Sequence, residues 1–284
     1  MKPFAYWLVG ALLLWSCGGS QKQAQSVVVT IEPQRYFAEK IAGDRFSVYT
    51  VVPSGQSPET YDPAPHEMVR IARSKAYLCI GRIGFELAWL PVIRENNPHL
   101  AFFDLSEGIH WLESGEPDDP DAHGHRHGGG DPHIWNATGN ARIIARNTLQ
   151  AFVGLDPANE TEYRANYQLL LREIDDTERT LHELLDTLTC RTFIIYHPAL
   201  TYFAHEFQLT QLAIESEGKE PSAASMKNLV DSARKANVRV VFVQQEFDRK
   251  HAEQVAAEVG AHVITINPLD VRWKEQMITL AKQL

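Results

Sequence analysis

The stretch "ANETEYRANYQLLLREIDDTERTLHELLDTL", residues 158–188, contains neither Gly nor Pro. Its apolar positions Tyr163, Tyr167, Leu170, Leu171, Ile174, Leu181, Leu184 and Leu185 recur at i, i+3 and i+4, the spacing that lines one face of a helix. Some 30 helical residues would reach ~45 Å, longer than the diameter of a small domain, so the segment reads as a connector between two bodies.

Working outward, the same alternation appears on both sides. Toward the N-terminus, the β-branched and aromatic runs 27–31, 46–52, 76–80 and 100–105 read as strands. Helical patterns separate them, the first ending at Gly43 and the second opening with Pro65 in its first turn. Toward the C-terminus, the runs 192–197, 209–214, 238–243 and 261–266 alternate with helical patterns through to Leu284. Strands separated by helices imply parallel βαβ units with right-handed crossovers. The fold expected is α/β: two parallel-sheet lobes joined by a long rigid backbone helix. The divisions are an N-terminal lobe at 27–135, a helical connector at 136–189 and a C-terminal lobe at 190–284. No internal sequence repeat is visible.

The first residues read differently. Met1-Lys2 precedes the apolar run "FAYWLVGALLLW", about as long as a secretory signal and too short to span a bilayer. It leads into "LWSCGGS", which resembles a bacterial lipoprotein cleavage site with lipid on Cys17, although Trp15 is bulkier than the residue usual there. Residues 1–17 are therefore expected to be signal peptide and lipidated cysteine, and 18–26 a polar tether. That places the folded body in the cell envelope, periplasmic or extracytoplasmic, held to a membrane by its anchor. The two other cysteines, Cys79 and Cys190, read as free thiols in apolar settings. A formal net charge of -9 gives no basic face for phosphates, which argues against nucleic-acid binding.

Ligands of open parallel sheets lie beyond the carboxyl ends of the strands. Three segments bring metal-capable side chains there. "PSGQSPETYDPAP" (53–65) is stiffened by proline and displays Glu59 and Asp62. "DPHIW" (131–135) presents His133, and "IIYHPAL" (194–200) presents His197 as it leaves a buried strand. Glu246 follows the strand 238–243 and Asn267 the strand 261–266, and each is a candidate fourth ligand or supporting residue. His66 reads as an exposed residue near a helix start. His205-Glu206 begins like H-E-x-x-H, but Leu209 stands where the second histidine would be, and Glu206 reads as a helix-surface residue. Residues 117–130 read as a His-rich loop, in which His123, His125 and His127 precede three glycines. Its imidazoles suit transient metal capture, while the glycines argue against a rigid site.

The segments "PSGQSPETYDPAP", "DPHIW", "YHPALTYFAHEFQL", "AIESEGKEPSAASM" and "AAEVGAHVITINPL", with the long helix, together carry a resemblance spanning nearly the whole chain after residue 17. The chain resembles the solute-binding proteins of zinc and manganese ABC importers, the ZnuA/TroA-like group. The resemblance implies a non-enzymatic receptor whose cleft binds a divalent metal and hands it to a membrane permease, working as a monomer. It assigns His133 and His197 as ligands and places Glu59 where the family usually has a histidine. Glutamate oxygen binds zinc at about the same distance as imidazole nitrogen, ~2.0–2.2 Å. The imidazoles favour Zn2+ as the transported ion, and the carboxylate keeps Mn2+ or Fe2+ open. Competing readings are a manganese or iron receptor of the same family, a zinc-dependent hydrolase built on the same three residues with an open coordination place, and a surface adhesin.

Overall fold

The computed structural model describes residues 25–113, 130–215 and 221–284. The signal segment, Cys17, nearly all of the tether, and His123, His125 and His127 lie outside the described residues. No helix among the described residues is long and apolar enough to cross a membrane.

Among the described residues eight strands form two four-stranded sheets, all parallel. The first holds β1 (Gln25–Val29), β2 (Phe46–Thr50), β3 (Ala76–Cys79) and β4 (Ala101–Asp104) in the order β2-β1-β3-β4. The second holds β5 (Thr192–Ile195), β6 (Thr210–Ala213), β7 (Val240–Gln244) and β8 (His262–Ile266) in the order β6-β5-β7-β8. The two orders are the same, so the halves repeat a topology that their sequences do not betray. In each sheet the order reverses between the two central strands, β1 and β3 or β5 and β7. That reversal opens a crevice at the strand ends where ligands bind.

The connecting helices are α1 (Glu32–Ala42), α2 (Pro65–Ala72) and α3 (Gly84–Asn96) in the first half. The second half has α6 (Thr201–Glu206), α7 (Ala223–Lys235), α8 (Lys250–Val259) and α9 (Trp273–Lys282). Gly43 ends α1 at a φ of 54°, in the left-handed region that other residues avoid. Between the halves run α4 (Thr138–Leu155) and α5 (Glu160–Leu185). A 3-10 turn at Pro157–Asn159 starts the long segment, so the α-helix proper has 26 residues and spans ~39 Å rather than the length expected from the whole stretch. Tyr163, Leu170, Ile174, Leu181 and Leu185 of α5 are buried, while the exposed Leu169 is 58% accessible.

One hydrophobic core runs through both halves. It includes Val28, Phe37 and Tyr77 of the first, Ile144, Leu170 and Ile174 of the connector, and Phe193, Phe242 and Trp273 of the second. A smaller cluster, with Ile194, Val241 and Val255, lies beneath α7 and α8. Cys79 is buried and free, its thiol pushed up to about 12 by burial, and Cys190 is half-buried and free.

At the first crevice Glu86 turns inward from the first turn of α3 and is 1% exposed. It accepts hydrogen bonds from Ile80 N at 3.1 Å and from Gly81 N and Thr30 Oγ1. Burial pushes its carboxyl up to about 7, against the pull of those donors. The carboxyl thus joins the carboxyl ends of β1 and β3, beside the turn that seats the Glu59 loop.

Candidate metal centre

His133 and His197 meet. Their Nε2 atoms stand 3.3 Å apart, with ring centroids 5.1 Å apart and planes at 71°. Each ring is held from behind by a carboxylate. His133 Nδ1 lies 2.8 Å from Asp131 Oδ1, which also accepts the His133 backbone N–H at 2.8 Å. His197 Nδ1 lies 3.1 Å from Glu215 Oε2. A carboxylate only accepts, so each Nδ1 carries a proton, and in the neutral ring each Nε2 presents a lone pair. Two lone pairs that face each other repel unless a cation lies between them. Two nitrogens bound at ~2.0–2.1 Å to one tetrahedral zinc ion stand roughly 3.3 Å apart, so the pair is already set at the spacing such an ion requires.

Rigid elements hold both rings. His197 follows β5 at the second crevice. Its N–H donates to Gln244 Oε1 at 3.3 Å, Gln244 Nε2 donates to the His197 carbonyl at 2.6 Å, and Phe247 stacks on its ring at 5.4 Å. His133 is 7% exposed, and Trp135 lies edge-on to it at 5.3 Å. The segment 131–139 is pinned to elements of the second half. Tyr202 Oη donates to Asp131 O at 2.9 Å, and Asn136 Nδ2 donates to Ala199 O at 2.9 Å. Trp135 Nε1 donates to Pro268 O at 2.9 Å, and Trp273 Nε1 donates to Trp135 O at 2.7 Å.

Glu206, read from sequence as a surface residue, has a structural role instead. Its carboxylate accepts from Thr138 N at 2.7 Å, Thr138 Oγ1 at 2.8 Å and Gly139 N at 2.8 Å. It therefore caps the N-terminus of α4 from the other half of the chain, satisfying donors that a helix start leaves open.

Glu59 is exposed, on a loop that packs against the start of α3. Phe85 N donates to Pro58 O at 2.8 Å, and Glu67 stiffens the loop by accepting from Ala64 N at 2.6 Å and Tyr61 Oη at 2.8 Å. Gly84 is required at the contact, because a Cβ there would fall 2.8 Å from Glu59 Cα. Burial alone would depress the His133 imidazolium. The charge and hydrogen bond of Asp131, with the charges of Glu59 and Glu246, outweigh it and hold the ring above its ordinary value. Glu59 and Glu246 thus share an electrostatic neighbourhood with the histidine pair. Asn267 lies at the end of β8 with its Oδ1 engaged by Leu269 N at 3.1 Å. His66 and Asp62 are exposed.

Among the described residues, no group of three or more His, Cys, Asp or Glu side chains is drawn tightly enough to enclose an ion. The two histidines are brought together, and among the described residues no third such side chain closes on them. Sequence reasoning missed the roles of Asp131 and Glu215. Asp131 stands two residues before His133 in the quoted "DPHIW". Glu215 follows from strand register: Ile195 pairs with Ala213, and two residues further along both strands lie His197 and Glu215.

Comparison with known proteins places the chain in a family. The family model ZnuA, "Zinc-uptake complex component A periplasmic", matches residues 27–280. The chain is 28% identical over 280 residues to the high-affinity zinc uptake system protein ZnuA of Bacillus subtilis, covering 93% of this chain and 87% of that protein. It is 24% identical over 266 residues to the manganese-binding lipoprotein MntA of Halalkalibacterium halodurans, covering 90% of this chain and 85% of that protein. A crystal structure of ZnuA superposes with a TM-score of 0.84 at 35% identity, covering 91% of this chain and 97% of the other. A zinc-bound ZnuA deletion mutant superposes with a TM-score of 0.83 at 36% identity, covering 91% and 96%. The chain therefore belongs to the ZnuA family, whose members are metal-binding transport receptors and not enzymes.

Proposed function

We propose that this protein is an extracytoplasmic receptor that binds zinc tightly and delivers it to the membrane permease of an ABC importer. The observation that carries this reading is the pair of Nε2 atoms at 3.3 Å, each backed by a carboxylate on Nδ1. His133, His197 and Glu59 are the proposed ligands. Imidazole nitrogen suits zinc better than manganese, which prefers oxygen. Both zinc and manganese binders stand among the relatives, so the choice rests on the donor set. A signal peptide at 1–17 with lipid on Cys17, a tether at 18–26, lobes at 27–135 and 190–284 and a connector at 136–189 complete the proposal, with a monomeric body held at the membrane.

Calorimetric titration across pH tests it. Protons compete with zinc for the imidazole lone pairs. The His133 ring is held above the ordinary 6.5, so competition begins at a pH higher than that value. Affinity should be full above this range and fall as pH drops through it, by about tenfold per pH unit for each histidine that must release a proton to bind the metal. Zinc should also outcompete manganese. A dissociation constant that stays flat between about pH 5 and 7, or a preference for manganese, would refute zinc binding by these histidines.

A further inference from the structure

We infer that Glu246 supplies the fourth donor, so that the cargo ion is held by two imidazole nitrogens from His133 and His197 and by two carboxylates, Glu59 and Glu246. The inference rests on the reading of the histidine pair as ligands.

Three observations carry it. The first is position. Glu246 follows β7, the strand beside β5 at the point where the second sheet reverses its order, and His197 follows β5. The two side chains therefore leave adjacent strand ends into the same crevice. The second is an unmet need. Glu246 Oε2 is buried and has no hydrogen-bond donor among the described residues. Burying a carboxylate oxygen without a donor is costly unless a cation compensates it. Burial raises its carboxyl, and the charges that pull the other way are His197 and His133. The third is stiffness. Gln245 N donates to Ile266 O at 3.1 Å, Phe247 N donates to Gln244 O at 3.1 Å, and the next side chain, Phe247, stacks on the His197 ring. The turn that carries Glu246 is thus fixed to the ring it would join.

The alternatives are already engaged. Asp131 and Glu215 hold the two Nδ1 atoms, on the side of each ring away from Nε2, so Asp131 Oδ2, although buried without a partner among the described residues, belongs to the group behind the His133 ring; Asn267 Oδ1 is bonded to Leu269 N. Two neutral imidazoles and two carboxylates also balance the charge of a divalent ion. A monovalent ion would leave net negative charge in a half-buried crevice. The second oxygen donor further sets selectivity, because manganese depends on oxygen ligands more than zinc does.

The test is metal titration of Glu246→Gln, Asn267→Ala and His197→Ala, with Co2+ as a spectroscopic probe and melting of the metal-free proteins as a fold control. Glu246→Gln should weaken zinc roughly 100-fold, comparable to or beyond loss of a supporting partner. It should weaken manganese more than zinc, and it should change the visible Co2+ spectrum. It should also cost more than Asn267→Ala. If Glu246→Gln does not fold, Glu246→Ala carries the same expectation without introducing a polar group. Unchanged zinc affinity and an unchanged Co2+ spectrum in the Glu246 variants, while His197→Ala loses the site, would overturn this inference alone. So would a larger loss from Asn267→Ala than from Glu246→Gln. Retained binding in His197→Ala would instead overturn the histidine reading beneath it.

Discussion

Replacing His197 by alanine is expected to weaken zinc binding by more than roughly 100-fold, because it deletes a direct donor where loss of a supporting partner alone costs 10–100-fold. His133→Ala should lose at least as much. The two substitutions should differ in what they do to the fold. His197 is part-exposed, with 18% of its side chain accessible, and its removal leaves a crevice that water can enter. His133 is buried, and its removal strips Asp131 of its ring partner. Burial works against the Asp131 charge, and His133 is the main influence holding that carboxyl below its usual range. Asp131 keeps the backbone N–H of residue 133 but loses the ring donor, and a hydrogen bond to a charged group contributes about 1.5–3 kcal/mol. Titration against a competing chelator reads the affinity, and denaturant unfolding of the metal-free protein reads the stability. Equal affinity in wild type and His197→Ala would remove the site assignment.

Trp273→Ala is expected to destabilise the protein by about 3–5 kcal/mol, the usual cost of truncating a buried tryptophan. The ring is 1% exposed and packs against Tyr36 and Phe37 of α1 at 5.9 and 5.4 Å. It therefore joins the last helix of the second half to the first helix of the first half. Its Nε1 also donates to the Trp135 carbonyl, two residues after His133, while Trp135 donates to Pro268. Loss of Trp273 should loosen this crossed pair and the histidine beside it, so zinc affinity should fall together with stability. An unfolding midpoint matching wild type would show that the two halves do not depend on this joint.

The frame was legible because local chemistry dictates it. β-branched runs, Gly43 at a positive φ and Pro65 in the first turn of α2 each announce an element within a few residues. The candidate ligands were legible for a related reason: His197 leaves the end of β5 just before Pro198, and His133 and Glu59 each follow a proline in a stiffened segment. What escaped was whatever depends on distant pairing. Glu206 lies 68 residues from the Thr138 that it caps, and nothing near either residue signals the contact. Glu215 became visible only through the register of β6 on β5. Glu246 stood beside Asn267 as an equal candidate in the sequence, and only the strand order set its turn next to that of His197. The shared strand order of the two sheets was invisible for the same reason: it is set by which strands pair, and each half reaches it with its own hydrophobic sequence.

The most direct test of the central claim is anomalous scattering at the zinc absorption edge from crystals of the zinc-loaded protein. One strong peak should lie between His133 and His197, about 2.0–2.1 Å from both Nε2 atoms. A dominant zinc peak elsewhere, with the histidine pair vacant, would contradict the account.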